Sequence, residues 1–262
     1  MSPFLETMST TFVLVACLMT AVWLLSLARK DASVIDPFWG LGFFVVTVAA
    51  CVLNGLVPRT ALLLILIAVW SLRLSVYLLW RNWGHGEDRR YVKMREKHGR
   101  RFWWVSLFSV FLLQGVILWF VSLPIQVAAA RNLSTPFSVL DVAGTVIWGV
   151  GLFFESVGDW QLARFRAEPG NSGRVMDRGL WRYTRHPNYF GDFCIWWGLY
   201  LICGAGGAWW TVLSPIFMSI LLLAVSGVSL LESTIGERRP DYVAYKARTN
   251  SFFPGPPRKI AP

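Results

Sequence analysis

A chain of 262 residues that is 55% hydrophobic, holds 15 Trp and devotes only 15% of its positions to charge lies outside the composition of a water-soluble domain. The net charge of +10 requires no nucleic-acid partner. All of the 25 Lys and Arg except Arg59, Arg73 and Arg131 fall at 29–30, 81–101, 164–185 and 238–259, the places that a multi-span chain leaves on one membrane face, next to anionic lipid.

Apolar stretches lie near 8–28, 34–56, 60–80, 103–122, 138–158, 189–209 and 210–231, each able to cross about 30 Å of hydrocarbon as a helix. The reading is all-α: one integral membrane bundle of seven transmembrane helices covering 1–262 as a single domain. The first stretch follows Met1-Ser-Pro-Phe-Leu-Glu6, which has no basic run, and precedes Arg29 and Lys30. That is the reverse of a signal peptide, so it reads as a retained anchor with the N-terminus outside. Seven crossings then put the basic segments and the C-terminus in the cytoplasm, in a bacterial-type inner membrane. The last two stretches are separated only if Cys203-Gly-Ala-Gly-Gly-Ala-Trp-Trp210 makes a turn; a merged helix there would leave six crossings.

In the second stretch, Ser33-Val-Ile-Asp-Pro-Phe-Trp-Gly40, the lone carboxylate of Asp36 opens an apolar span, where an unpaired anion is costly. That position suits a general acid; it also suits a helix N-cap followed by proline at the first helical position. After the third stretch, Trp80-Arg-Asn-Trp-Gly-His-Gly-Glu-Asp-Arg-Arg-Tyr91 reads as a surface loop in which Glu87 and Asp88 pair with Arg89 and Arg90. Glu155 and Asp159 share a helix face, with Arg166 two turns beyond Asp159 on the same side. Carboxylates accept from ribose hydroxyls and guanidinium groups bind phosphate, so this stripe suits a nucleotide; an internal salt-bridge ladder is the other reading.

The segment Gly179-Leu-Trp-Arg-Tyr-Thr-Arg-His-Pro-Asn-Tyr-Phe-Gly191 reads as loop up to Pro187, where a helix starts with Asn188 and Asp192 on one face. Leu231 to Lys246 is again a charged continuation of an apolar helix. No G-x-G-x-x-G or G-x-x-x-x-G-K occurs, so no Rossmann fold holds a dinucleotide. Cys17, Cys51, Cys194 and Cys203 have no C-x-x-C spacing and read as packing residues. His85, His98 and His186 share no ligand spacing, so no metal centre is expected.

Arg185-His-Pro-Asn-Tyr-Phe-Gly-Asp192, with Asp159 and Arg166 upstream and Glu87-Asp-Arg-Arg-Tyr91 after the third stretch, resembles the steroid 5-alpha-reductase family, in particular its bacterial branch. The resemblance runs from Asp36 to Asn250-Ser-Phe-Phe-Pro254. It implies a seven-helix enzyme that reduces a carbon–carbon double bond conjugated to a ketone, on a lipid-like substrate entering from the bilayer, with NADPH in a cytoplasm-facing pocket. It implies Arg73, Arg81, Asp159, Arg166, Arg182, Asn188 and Asp192 as cofactor contacts, extended by Arg164, Tyr183, His186, Tyr189, Glu232 and Tyr242 in and around the same motifs. Asp36 takes the place of the family's catalytic glutamate. The family's second acid, a tyrosine three residues before the arginine matched to Arg73, is Trp70 here; Tyr77, one turn after Arg73, is the substitute. The R-H-P-x-Y-x-G motif also resembles isoprenylcysteine carboxyl methyltransferases and related phospholipid methyltransferases, which bind S-adenosylmethionine. The surplus of arginines weighs against them, because a sulfonium cation needs few.

Overall fold

The computed structural model describes residues 2–225 and 241–258. Among them the regular structure is helical, with one isolated bridge between Thr184 and Asn250. Five helical runs are long and apolar enough to cross a membrane: α1 (Pro3–Arg29), Ala32–Asn54 containing α2 (Ile35–Asn54), α3 (Pro58–Asn82), Arg89–Val121, and α8 (Val139–Ala167). Seven were expected. The sixth stretch forms the 19-residue helix α9 (Pro187–Ala205), whose first two turns carry Pro187, Asn188 and Asp192 and so dilute its apolar character. The seventh is described only as the shorter apolar run Trp209–Ala224. The turn expected between them is present: Gly207 takes φ +86, a conformation suited to glycine. Residues 226–240, with Glu232, lie outside the described residues.

Within the fourth run, α4 (Arg89–His98) precedes α5 (Phe102–Ser106), a π-helical turn (Leu107–Leu112) and α6 (Leu113–Val121). The short α7 (Leu123–Arg131) follows, and α10 (Leu213–Ile220) and α11 (Tyr242–Arg248) are the remaining α-helices among the described residues. By packing the chain forms two units, one of Met1–Phe137 and Cys203–Ser214, the other of Ser138–Ile202 and Pro215–Pro262.

In the first unit α2 is the central helix, packed on α1, α3, α6 and α7 around fully buried Met19, Phe43, Trp70, Phe111 and Leu118. Trp70, at the position where the resemblance has a tyrosine, packs its ring 5.7 Å from that of Phe43. Nine residues are too few to cross a bilayer, and α7 instead buries Ile125 to Ala129. Its fully buried Gln126 is satisfied: the amide oxygen accepts from Thr11 Oγ1 at 2.5 Å, and the amide nitrogen donates to Ser122 Oγ at 2.8 Å and to the Trp119 carbonyl at 3.0 Å. In an apolar interior such saturation is what makes the residue tolerable.

The second unit is built on α8 against α9. Gly144 and Gly151 on α8 meet Gly198 and Gly191 on α9. A Cβ at Gly151 would fall 2.5 Å from the Gly191 carbonyl oxygen, and one at Gly144 would fall 2.6 Å from that of Gly198. Spacing by seven keeps these glycines on one stripe, so the two backbones touch along an antiparallel seam. At 29 residues α8 is about 44 Å long, some nine residues more than the hydrocarbon requires. That excess carries Asp159, Arg164 and Arg166.

Candidate functional site

The Asp-Pro pair at the start of the second span does not form the N-cap that is the alternative reading of Asp36. Asp31 takes that work five residues earlier, its Oδ1 accepting from the Ser33 N–H at 2.8 Å to open a single 3-10 turn (Ala32–Val34). Helix α2 then starts at Ile35, which leaves Asp36 inside its first turn with its side chain free for other partners. That carboxylate is 12% exposed. Its Oδ1 accepts from the Tyr91 hydroxyl at 3.1 Å, and its Oδ2 accepts from the Arg90 guanidinium at 3.1 Å. Tyr91 is buried, and its hydroxyl also receives the Gln114 amide N–H at 3.4 Å.

The segment that brings Arg90 and Tyr91 to Asp36 is clipped to the start of α2. Glu87 Oε1 accepts from the Ala32 N–H at 2.8 Å and pairs with Arg95 at 2.7 Å, and the Asp88 N–H donates to Ser33 Oγ at 2.6 Å. Asp88 braces Arg90 at 3.0 Å, as expected, and caps α4 through the Arg90 N–H. Glu87, by contrast, reaches one turn past Arg89 and Arg90 to Arg95, because the expected loop is already helix from Arg89 onward. Burial opposes the charge on Glu87 and Asp88. It is outweighed at Glu87 by Arg95 and the Ala32 N–H, and at Asp88 by Arg90, so both carboxyls titrate below their usual range.

Arg73, Tyr77 and Arg81 lie on one face of α3. The two guanidinium groups sit 5.5 and 5.9 Å from the Tyr77 ring centre, and Trp80 packs 6.1 Å from it. The hydroxyl on Asp36 is nevertheless that of Tyr91. Tyr91 belongs to the Glu-Asp-Arg-Arg-Tyr motif, but a loop gives it no inward face, whereas in the helix it turns inward about half a turn round from the exposed Arg89 and Lys93.

In the second unit, α9 starts at Pro187 as expected. Asn188 donates to Asp159 Oδ1 at 3.4 Å, while Glu155 and Asp159 are buried on α8 and Asp192 lies one turn beyond Asn188. The close Gly151–Gly191 crossing continues to Gly158, where a Cβ would fall 3.2 Å from Pro187 and 3.4 Å from the Asn188 backbone nitrogen, so the end of α8 lies against the start of α9. His186 is buried, its ring parallel to that of Tyr189 at 5.6 Å and 13°. Tyr242 is buried 5.8 Å from the Tyr245 ring. Arg164, Arg166, Arg182 and Tyr183 are exposed, with Arg164 over the Trp160 ring at 5.7 Å. Asp159 and Asn188 are thus brought together, Asp192 follows one helical turn on, and the exposed arginines flank them in sequence.

The loop before Pro187 is pinned on two sides. Trp181 Nε1 donates to the Gly158 carbonyl at 3.0 Å, Tyr245 donates to the Trp181 carbonyl at 2.5 Å, and Thr184 Oγ1 donates to the Phe252 carbonyl at 2.7 Å. Arg185, which the sequence reading did not select, is buried and donates to the carbonyls of Thr249 and Lys246 at 2.6 and 3.1 Å. It closes the C-terminal end of α11, where carbonyls lack helical partners. Nothing in Arg-His-Pro distinguishes that work from ligand binding, because the acceptors arrive from some sixty residues downstream.

A family model described as a protein of unknown function, DUF1295, matches residues 22–249, a span that takes in Asp36, Tyr91 and the Arg185-His-Pro loop. An uncharacterized protein of Schizosaccharomyces pombe is 23% identical over 294 aligned residues, covering 97% of this chain and 80% of that protein. No solved structure matches. With most of its length matched and its long apolar helices in place, the chain belongs to the DUF1295 family of multi-pass membrane proteins.

Proposed function

We propose that this protein is a seven-span membrane oxidoreductase of the steroid 5-alpha-reductase type. It reduces the carbon–carbon double bond of an α,β-unsaturated ketone, a 3-oxo-Δ4 steroid or a similar lipid, with its N-terminus outside and its C-terminus and cofactor-binding segments cytoplasmic. The observation that carries the reading is the Asp36–Tyr91 pair: a nearly buried carboxylate bearing a phenol hydroxyl at the start of an apolar helix. When bound, NADPH supplies the hydride that goes to the β-carbon. Negative charge then develops on the ketone oxygen, and a hydroxyl held in a dry site stabilises it best. The Tyr91 hydroxyl donates a hydrogen bond to Asp36 in the resting protein and would donate one to the ketone oxygen in turnover, Arg90 holding the carboxylate. Water supplies the proton that completes the α-carbon.

The groups of the second unit fit the cofactor by type. Asp159, Asn188 and Asp192 offer acceptors and an amide to sugar hydroxyls and a carboxamide, and exposed Arg164, Arg166 and Arg182 offer guanidinium groups to phosphate. The two halves of the reading are separately testable. Asp36→Asn and Tyr91→Phe should each lower turnover of a 3-oxo-Δ4 steroid by about 10²-fold while NADPH affinity is kept, and Tyr77→Phe should cost less. Full turnover in both variants would return Asp36, Arg90 and Tyr91 to the role of a structural latch.

A further inference from the structure

Helix α4 has two faces. Tyr91 and Arg95 turn inward, to Asp36 and Glu87, whereas Arg89, Lys93 and Lys97 recur every four residues on the opposite, exposed side. Arg100 and Arg101 are likewise exposed, in the turn that follows. None of these five cations has an acidic partner among the described residues, in contrast to Arg90 and Arg95, which are both paired. Gly99 adopts φ +53 and ends α4 before α5 begins, so the basic helix is separate from the apolar run that follows it.

Exposed tryptophans mark the depth. Trp80 and Trp83 stand where the chain leaves α3, and Trp103 and Trp104 stand where it enters the apolar run from Phe102 to Val121. Tryptophan in such numbers at the ends of two successive spans belongs to the membrane–water boundary. A ten-residue helix that starts and finishes at that boundary, with a stripe of unpartnered cations, lies among lipid headgroups.

We infer that the Arg89–Lys93–Lys97–Arg100 stripe is a binding site for the headgroup phosphates of anionic phospholipids, and that occupying it holds α4 with Arg90 and Tyr91 seated on Asp36. Charge complementarity selects the occupant, since a zwitterionic headgroup brings no net charge to the stripe. The inference stands whether or not Asp36 proves to be an acid in catalysis, and its test needs no turnover.

The test titrates the detergent-purified protein with phosphatidylglycerol or phosphatidylcholine and counts retained lipid by native mass spectrometry. Hydrogen exchange of 86–101 is then followed in nanodiscs made with and without phosphatidylglycerol. Phosphatidylglycerol should be retained in preference to phosphatidylcholine, with exchange over 87–92 slowed only when it is present. Arg89→Gln, Lys93→Gln, Lys97→Gln and Arg100→Gln combined, which leave Arg90 and Arg95 in place, should weaken that retention by at least about tenfold. The affinity of the unaltered protein should fall as salt is raised, which keeps the test decisive if the combined variant folds poorly. Equal retention of the two lipids, undiminished retention by the variant, or an affinity indifferent to salt would each overturn the site. Lipid retention without slowed exchange would overturn the coupling to Asp36.

Discussion

The first unit and the second keep polar side chains at the end of an apolar helix by different means. At Asp36 the compensation comes from side chains of an incoming loop and helix: the Arg90 guanidinium and the Tyr91 hydroxyl satisfy the carboxylate, while Glu87 and the Asp88 N–H fasten that segment to the Ala32 N–H and Ser33 Oγ. At Asn188 the compensation begins with backbone, because glycines let α8 and α9 touch and so set Asp159 across from Asn188, while carbonyls of the C-terminal segment hold the preceding loop through Arg185. A site of the first kind should tolerate substitution of any one member with a moderate loss. A site of the second kind should fail outright when the seam is opened and change only ligand affinity when a side chain at its end is trimmed.

The seam gives the largest expected effect. Gly191→Leu, whose Cβ alone would lie 2.5 Å from the Glu155 backbone nitrogen and the Gly151 carbonyl oxygen, should cost at least about 3 kcal/mol or prevent folding. Gly149→Ala, on the same helix but with open space at its Cβ, should be neutral or stabilising by about 0.5–1 kcal/mol. Thermal melts in detergent read both, and equal behaviour would dissolve the seam.

Arg185→Met comes next, at about 2–4 kcal/mol, since it leaves the Lys246 and Thr249 carbonyls short of a donor. Protease cutting after α11 should rise with it, and an unchanged melt with an uncut C-terminus would make Arg185 available as a ligand. Asn188→Ala should weaken NADPH binding by about 1–3 kcal/mol with folding intact, and unchanged affinity would reduce Asn188 to a packing residue.

The smallest effect is at the clip of the first unit. Glu87 titrates below its ordinary value of 4.5, so the stability it contributes is fully present above that value and is lost as pH falls through its lower folded value. Glu87→Gln should therefore be less stable than the unaltered protein at neutral pH, and the gap should close on acidification. A gap that widens in acid would mean that Glu87 is protonated in the folded protein.

The sequence disclosed the helical class, a turn within Cys203–Trp210 and the helix start at Pro187, because apolar length, glycine pairs and proline act locally. The resemblance groups Asp159 with Asn188 and Asp192, and of these the structure pairs Asn188 with Asp159. What stayed hidden depends on distant partners. Helix α7 is too short to register as a span and is explained only by its burial in the first unit. Tyr91 lies 55 positions from Asp36, and Arg185 lies 64 from the Thr249 carbonyl it holds. A charge-rich stretch such as 80–91 reads as loop whenever the helix it enters is judged by its polarity and not by its inward face.

An NADPH-dependent membrane reductase, as proposed, is tested most directly by titrating the detergent-purified protein with NADPH, NADH and S-adenosylmethionine at one fixed salt concentration. NADPH should bind more tightly than NADH, because the extra phosphate would meet additional guanidinium groups, and S-adenosylmethionine should not bind. Equal affinity for the two nicotinamide cofactors, or binding of S-adenosylmethionine alone, would contradict it.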